Sequence, residues 1–440
     1  MLTKNDLFKK GIKDTLFYAL SILLGRALTI LVIPYLAIIL TLEEIAFYDL
    51  FLIGTNYVQL FLTLGIDSGI AIKIADHKDN KEKLRFYFSI SMLIVVLMTV
   101  LLGVLGVPIV LMISTYQVDF LFLLALQGFL MAIQYIAFNY FKWLGESKKA
   151  SVLMSIGYGL GVVIGVGFIV FIKATLLCFL LGVVIGNIIG VIITCTLSFS
   201  YIKMKFDKNT ANEVKLLLKL SLPFFFNSLL NQSYKATDRF IILYFLNAQI
   251  LGIYSMIIRL CQIPVMAIEV ALNAFQAITF LNYKNQKGIE LYNKILNINF
   301  ISINILLVLI TGVFYFGIPL IPSLVDIHEY IYLIPLIFFN ISFLSIRMYG
   351  GFSYFIHNKT IYITYITLGA LVTYILLSIL LINIGIIGVA ISGAIVSVIS
   401  CYFYFYIAYK IQSFNENMNR ILGLSVLSMV VVIIITMFLN

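Results

Sequence analysis

The chain has 440 residues, 62% of them hydrophobic and only 11% charged, with a mean hydropathy of +1.10. A soluble domain carries about a quarter charged residues and just under half apolar ones, so a water-soluble globular fold, a disordered chain and a disulfide scaffold are all excluded. The net charge of +10 does not point to nucleic acid either. The positive residues sit in short clusters between apolar runs, which is how the inward loops of membrane proteins are charged.

A helix needs about 20 apolar residues to cross roughly 30 Å of hydrocarbon. In chain order the apolar runs predict an all-α integral membrane protein of about 12–13 transmembrane helices, with spans near 15–40, 45–72, 86–113, 119–141, 150–172, 175–200, 220–246, 250–281, 295–318, 330–352, 361–382, 386–409 and 421–439. Lys4, Lys9, Lys10 and Lys13 precede the first run, which continues to Leu40 with Arg26 inside it and no small-residue cleavage site. It therefore reads as a retained span, not a signal peptide. With the N-terminus inside, the inward connections and the N-terminal lysines hold 23 of the 29 positive residues, the outward ones only Lys173. That asymmetry predicts a multi-pass protein with a cytoplasmic N-terminus.

No connection is long enough to fold alone. The longest polar one predicts a division into a six-helix N-terminal lobe (1–201), a partly helical cytoplasmic linker (202–219), a six-helix C-terminal lobe (220–410) and an extra C-terminal transmembrane helix (411–440). The lobes read as repeats. "TLEEIAFYD" (41–49) lies over "NAQILGIYS" (247–255), and the same offset places Gly182-Val183-Val184-Ile185 over Gly388-Val389-Ala390-Ile391. Six-plus-six parallel repeats are a transporter architecture.

Motifs for ATP use are absent. Gly157, Gly161 and Gly165, like Gly182, Gly186 and Gly190, recur every four residues, the spacing that lets membrane helices approach closely. The cysteines (Cys178, Cys195, Cys261 and Cys401) and the histidines (His77, His328 and His357) show neither CxxC nor metal-ligand spacing, so no metal, cofactor or disulfide is expected. Tyr140, Phe141 and Trp143, and the tyrosines at 402, 404, 406 and 409, read as interfacial aromatic belts. Pro34, Pro223, Pro264 and Pro335 read as kinks.

The informative residues are charges at membrane depth, each costing at least about 2.5 kcal/mol at a helix centre. They are Arg26 in span 1, Lys235, Asp238 and Arg239 in span 7, Arg259 in span 8 and Arg347 in span 10. Arg259, Gln262, Glu269, Asn273 and Gln276 fall on one helical face of span 8, while Asp49, Asn56, Thr63 and Asp67 do the same on span 2. Structural ion pairs and interhelical hydrogen bonds are the plain alternative, and Asp238 between Lys235 and Arg239 fits it as well as a ligand contact. The cations outnumber the buried carboxylates Asp67, Asp238 and Glu269, however, which predicts a hydrated cationic cavity for an anion such as a phosphate or diphosphate. Arg26, Lys235, Arg239, Arg259 and Arg347 are the candidate substrate-binding residues. Asn56, Asp67, Asp238, Gln262, Glu269 and Asn273 are candidate polar lining, with Asp67 and Glu269 also candidates for coupling to H⁺ or Na⁺.

"LEEIAFYDL" with "LGIDSGI" (64–70), "YFKWLGESKKASVLMS" (140–155) and "KLSLPFFFNSLLNQSYKATDRFIILYFLNAQILGIYS" (219–255) resemble the O-antigen and capsule polysaccharide flippases (Wzx-like) of the superfamily that also holds the MATE drug exporters. The resemblance implies a two-lobed, V-shaped MATE-like bundle with a cationic central cavity lined by spans 1, 2, 7 and 8. It implies one cargo, an undecaprenyl-diphosphate-linked oligosaccharide repeat unit, moved from the inner to the outer leaflet of a bacterial cytoplasmic membrane by alternating access. It also implies a secondary-type transporter and not an enzyme, working as a monomer beside a polysaccharide polymerase and a chain-length regulator. The thirteenth span departs from the family's even count. Two other functions compete: a cation-coupled drug exporter, disfavoured by the positive interior, and a membrane polymerase or ligase, disfavoured by the lack of a large outer loop.

Overall fold

The computed structural model describes residues 32, 35–77, 80–113, 118–202, 210–282, 286–317, 328–350, 354, 359, 361–411 and 418–439. Among them the regular structure is helical throughout: α1 (Leu42–Thr63), α2 (Ile66–Asp76), α3 (Lys81–Ile113), α4 (Val118–Trp143), α5 (Ser147–Phe171), α6 (Leu176–Ser198), α7 (Thr210–Phe245), α8 (Ala248–Asn282), α9 (Gln286–Gly317), α10 (Leu333–Gly350), α11 (Ile361–Leu381), α12 (Ile386–Ile411) and α13 (Met418–Leu439). Helices satisfy every backbone group internally, the condition for life in lipid. Eight of the described helical segments are long and apolar enough to cross a membrane, from Leu42–Thr63 to Ile386–Ile411, with three shorter apolar helices besides.

Local sequence sets the helix starts. Thr41 and Glu44 form a capping box: the Glu44 amide donates to Thr41 Oγ1 at 3.2 Å, and the Thr41 amide donates to Glu44 Oε2 at 3.0 Å. Asn247 caps α8 by accepting from the Ile250 amide at 2.8 Å. Thr41 and Asn247 are the first residues of the two aligned segments, so the repeat seen in sequence places a helix cap at the same point in both copies.

The described residues fall into two compact units, one holding 32 and 48–232 and the other 35–47 with 233–440. Residues 210–219, at the end of the expected linker, form the first turns of α7.

In the first unit α5 and α6 pair closely and both pack on α4. The glycine stripe does this directly. A Cβ on Gly186 would lie 2.6 Å from Gly161 Cα, and one on Gly182 would lie 2.7 Å from Gly165 Cα. In the second unit α10 packs on α8 and α12, α11 on α12, and α13 on α9. The last of these contacts is sealed by Asn304, whose Nδ2 donates to Ser425 Oγ at 3.1 Å. Equivalent polar contacts recur: Gln134 Nε2 of α4 donates to the Asn187 carbonyl of α6 at 3.2 Å, and Asn340 of α10 abuts Gly393 of α12.

Three expectations need correction. Span 2 is not one helix: Leu64 (φ 46°) and Gly65 (φ 71°) are left-handed and divide it into α1 and α2. Tyr140 and Phe141 are buried against Phe88 and Tyr201, leaving only Trp143 of that trio exposed. Tyr404 is likewise core, whereas Tyr402, Tyr406 and Tyr409 are exposed. An aromatic run carries the same hydrophobic signal in a belt as in a core.

Candidate functional site

The second unit holds most of the charges that the sequence pattern assigns to spans. On α7, Tyr234, Lys235, Asp238 and Arg239 occupy consecutive turns, and the helix exposes Lys235 while burying Asp238 at 4% exposure. Arg239 Nη1 pairs with Asp238 Oδ1 at 2.8 Å and also donates to the Lys235 carbonyl. The second carboxylate oxygen accepts the Tyr254 hydroxyl of α8 at 2.9 Å. Asp238 is thus the ion-pair partner of Arg239, the plainer of its two readings.

Arg259 of α8 and Arg347 of α10 are buried, at 6% and 3% exposure. The Arg347 guanidinium lies over the Tyr234 ring at 5.6 Å and the Tyr404 ring at 5.9 Å, where ring quadrupoles attract a cation by about 0.5 to 2 kcal/mol. Tyr234 packs in turn on Tyr374, ring centroids 5.1 Å apart. Glu269 accepts the Ser345 hydroxyl at 3.0 Å, and Gln262 is half-buried. Asn273 lies in α8 with its side chain outside the described set. Arg26 falls outside the described residues altogether.

In the first unit, Asp67 sits in the first turn of α2, just past the helix break, with Oδ2 accepting from Tyr135 and from Ser68, both at 3.3 Å. The break resets the helical phase, so Asp67 does not continue the face of Asn56 and Thr63. Asn56 is exposed, while Thr63 is buried and donates to its own helix at the Leu60 carbonyl. At the end of the apolar segment Leu176–Tyr201, Tyr201 closes a ring with Glu146 and Lys149, which lie outside the spans. Lys149 Nζ reaches Glu146 at 2.7 Å and Tyr201 Oη at 2.8 Å, and the hydrogen bond to Glu146 holds the Lys149 ammonium above the ordinary lysine range. This favours the folded state fully below the unfolded lysine pKa and is lost as pH rises through the raised one.

Sequence reasoning missed the aromatic partners: Tyr234 and Tyr404 around Arg347, Tyr254 on Asp238 and Tyr135 on Asp67. None of these partners lies within one helical turn of the residue it meets, so no local spacing signals it.

Removing the Tyr254 hydroxyl (Tyr254→Phe) is expected to cost about 1.5–3 kcal/mol, the range for a hydrogen bond to a charged group. Asp238→Ala is expected to cost about 3–5 kcal/mol, because it strands a largely buried cation. Melting of the purified protein in detergent checks both, and equal melting of the two variants and the parent would show that the Tyr254–Asp238–Arg239 contacts do not stabilise the fold.

Among the described residues no three His, Cys, Asp or Glu side chains gather as a metal site. A family model described as "Polysaccharide biosynthesis protein" matches residues 12–277. A search of curated proteins finds no match. Among solved structures, the inward-facing conformation of a multidrug resistance MATE family transporter of the MOP superfamily is similar with TM-score 0.69 at 15% identity, covering 90% of this chain and 95% of that one. The outward-facing conformation of such a transporter matches with TM-score 0.67 at 14% identity, covering 92% and 96%. A MATE protein in its bent conformation matches with TM-score 0.64 at 14% identity, covering 97% and 100%. The chain therefore has a MATE-like, multi-pass membrane fold.

Proposed function

Because the chain belongs to the polysaccharide biosynthesis protein family, we propose that it is a transporter that flips an undecaprenyl-diphosphate-linked oligosaccharide repeat unit from the inner to the outer leaflet of a bacterial cytoplasmic membrane. It works by alternating access, with its N-terminus in the cytoplasm, as a monomer that hands the repeat unit to a polymerase and chain-length regulator. The single observation that carries this reading is the sign of the charge inside the second unit. Four cations stand at membrane depth there (Lys235, Arg239, Arg259 and Arg347) against two carboxylates, Asp238 and Glu269, and Asp238 is already engaged by Arg239 and Tyr254. A surplus of positive charge in a low-dielectric interior favours an anionic cargo. A diphosphate offers the oxygens that lysine and arginine recognise, while the polyprenyl tail stays in lipid.

The exposed Lys235 is the cation placed for direct contact, and the buried Arg259 and Arg347 supply the field. Asp67 and Glu269, both held by neutral hydroxyls, remain the residues for coupling to an ion gradient. Lys235→Glu is expected to reduce flipping of a diphosphate-linked oligosaccharide in proteoliposomes at least about tenfold, and Lys235→Arg to retain most of it, a factor of ten being 1.4 kcal/mol. Normal flipping by Lys235→Glu would remove the contact from the model. The solved relatives named as multidrug transporters favour a second reading, drug export. Resistance conferred on a drug-sensitised strain, with no effect on surface polysaccharide, would establish that reading instead.

A further inference from the structure

The first half of α7 has two unlike faces. Leu217, Ser221 and Phe225 are buried, and the Ser221 carbonyl and Phe225 amide receive Gly65, just before α2, so closely that a Cβ there would meet them at 2.6 and 2.7 Å. Glu213 turns to that side too, accepting the Tyr87 hydroxyl at 2.9 Å and lying 3.8 Å from Lys73 Nζ. The opposite face is open. It carries a concavity of about 610 Å³ whose described lining includes Val214, Lys215, Leu218, Lys219, Leu222 and Phe226, with no acidic residue. Lys215 and Lys219 are exposed one turn apart, and Leu222 and Phe226 follow on the same side at 41% and 55% exposure.

Charge and length together select an occupant. The rise from Lys215 to Phe226 is roughly 16 Å at 1.5 Å per residue, close to one leaflet's share of a hydrocarbon core roughly 30 Å thick. Two ammonium groups mark one end and apolar side chains fill the rest. We propose that this groove on α7 is a binding site for an anionic phospholipid of the surrounding leaflet, its phosphate held by Lys215 and Lys219 and its acyl chain laid along Leu222 and Phe226. A polyprenyl chain is far longer than the groove. The site depends on the membrane placement of α7 and not on which cargo the protein carries.

The test uses the full-length protein in nanodiscs. Trp143 is the single tryptophan, so Trp143→Phe combined with Phe226→Trp, or in parallel with Leu222→Trp, leaves one reporter in the groove. Brominated phosphatidylglycerol is expected to quench it at a several-fold lower lipid fraction than brominated phosphatidylcholine. Each lysine removed by Lys215→Gln or Lys219→Gln should cut that preference about fivefold or to its baseline, since a basic side chain near an anionic membrane is worth about 1 kcal/mol; Lys215→Arg and Lys219→Arg should keep it. Equal quenching by the two lipids with both reporters, or a preference unaffected by the glutamines, would overturn the proposal. So would relief of the phosphatidylglycerol quench by stoichiometric undecaprenyl diphosphate, which would assign the groove to the long-chain lipid.

Discussion

Arg347→Met is expected to lower polysaccharide export at least about tenfold while the amount of folded protein stays near that of the parent chain. The residue is 3% exposed, with its guanidinium between the Tyr234 and Tyr404 rings. An apolar side chain of similar length fills that space, and replacing a buried ion by a well-packed hydrophobe is often neutral for stability. What disappears is one positive charge from a unit whose predicted spans hold four cations and two carboxylates. Arg347→Ala differs because it also leaves a cavity between two tyrosines, at about 2–5 kcal/mol for a truncation of this size, and should lower the folded yield. Arg347→Lys keeps the charge but not the planar group that stacks on the rings, so export should fall between parent and methionine. Export is read as surface polymer per unit of protein in the membrane. A methionine variant with full export would show that Arg347 holds tyrosines together and that the positive interior does not act on the cargo.

The helical apolar runs and the glycine stripe were legible in the sequence because each is written in one dimension. Apolar runs of span length need no partner to be recognised, and neither do glycines every fourth residue, which the structure uses to bring α5 and α6 into backbone contact. The aligned segments at 41 and 247 even share a helix cap. What stayed hidden depends on a second strand of chain. No spacing announces that Tyr254 meets Asp238, that Tyr404 covers Arg347, or that Gln134 crosses to Asn187. Tyr140 and Phe141 were misplaced at an interface because aromatic rings suit a headgroup belt and a packed core equally. The division of span 2 was invisible for a related reason: hydropathy is continuous through Leu64 and Gly65, and only the backbone angles reverse there.

That reversal makes a single added methyl group costly. Gly65→Ala should destabilise the protein by about 2–4 kcal/mol, combining about 1 kcal/mol or more for a left-handed alanine with an overlap that repacking cannot relieve cheaply. The added Cβ would stand 2.6 Å from the Ser221 carbonyl oxygen and 2.7 Å from the Phe225 nitrogen. Both are backbone atoms of α7, so no side chain can swing aside. Either α2 lifts from α7 or the break between α1 and α2 rearranges, and in both cases Asp67, two residues on, leaves its place beside Tyr135. Gly103→Ala in α3 is the matched control. Nothing lies within 4 Å of its added Cβ and the residue is helical and exposed, so the change should be neutral or stabilising by up to about 1 kcal/mol. Thermal unfolding of both variants in the same detergent decides the matter. If Gly65→Ala melts with the parent, the close seat of α2 on α7 is not a constraint on the fold, and the placement of Asp67 that depends on it has to be given up.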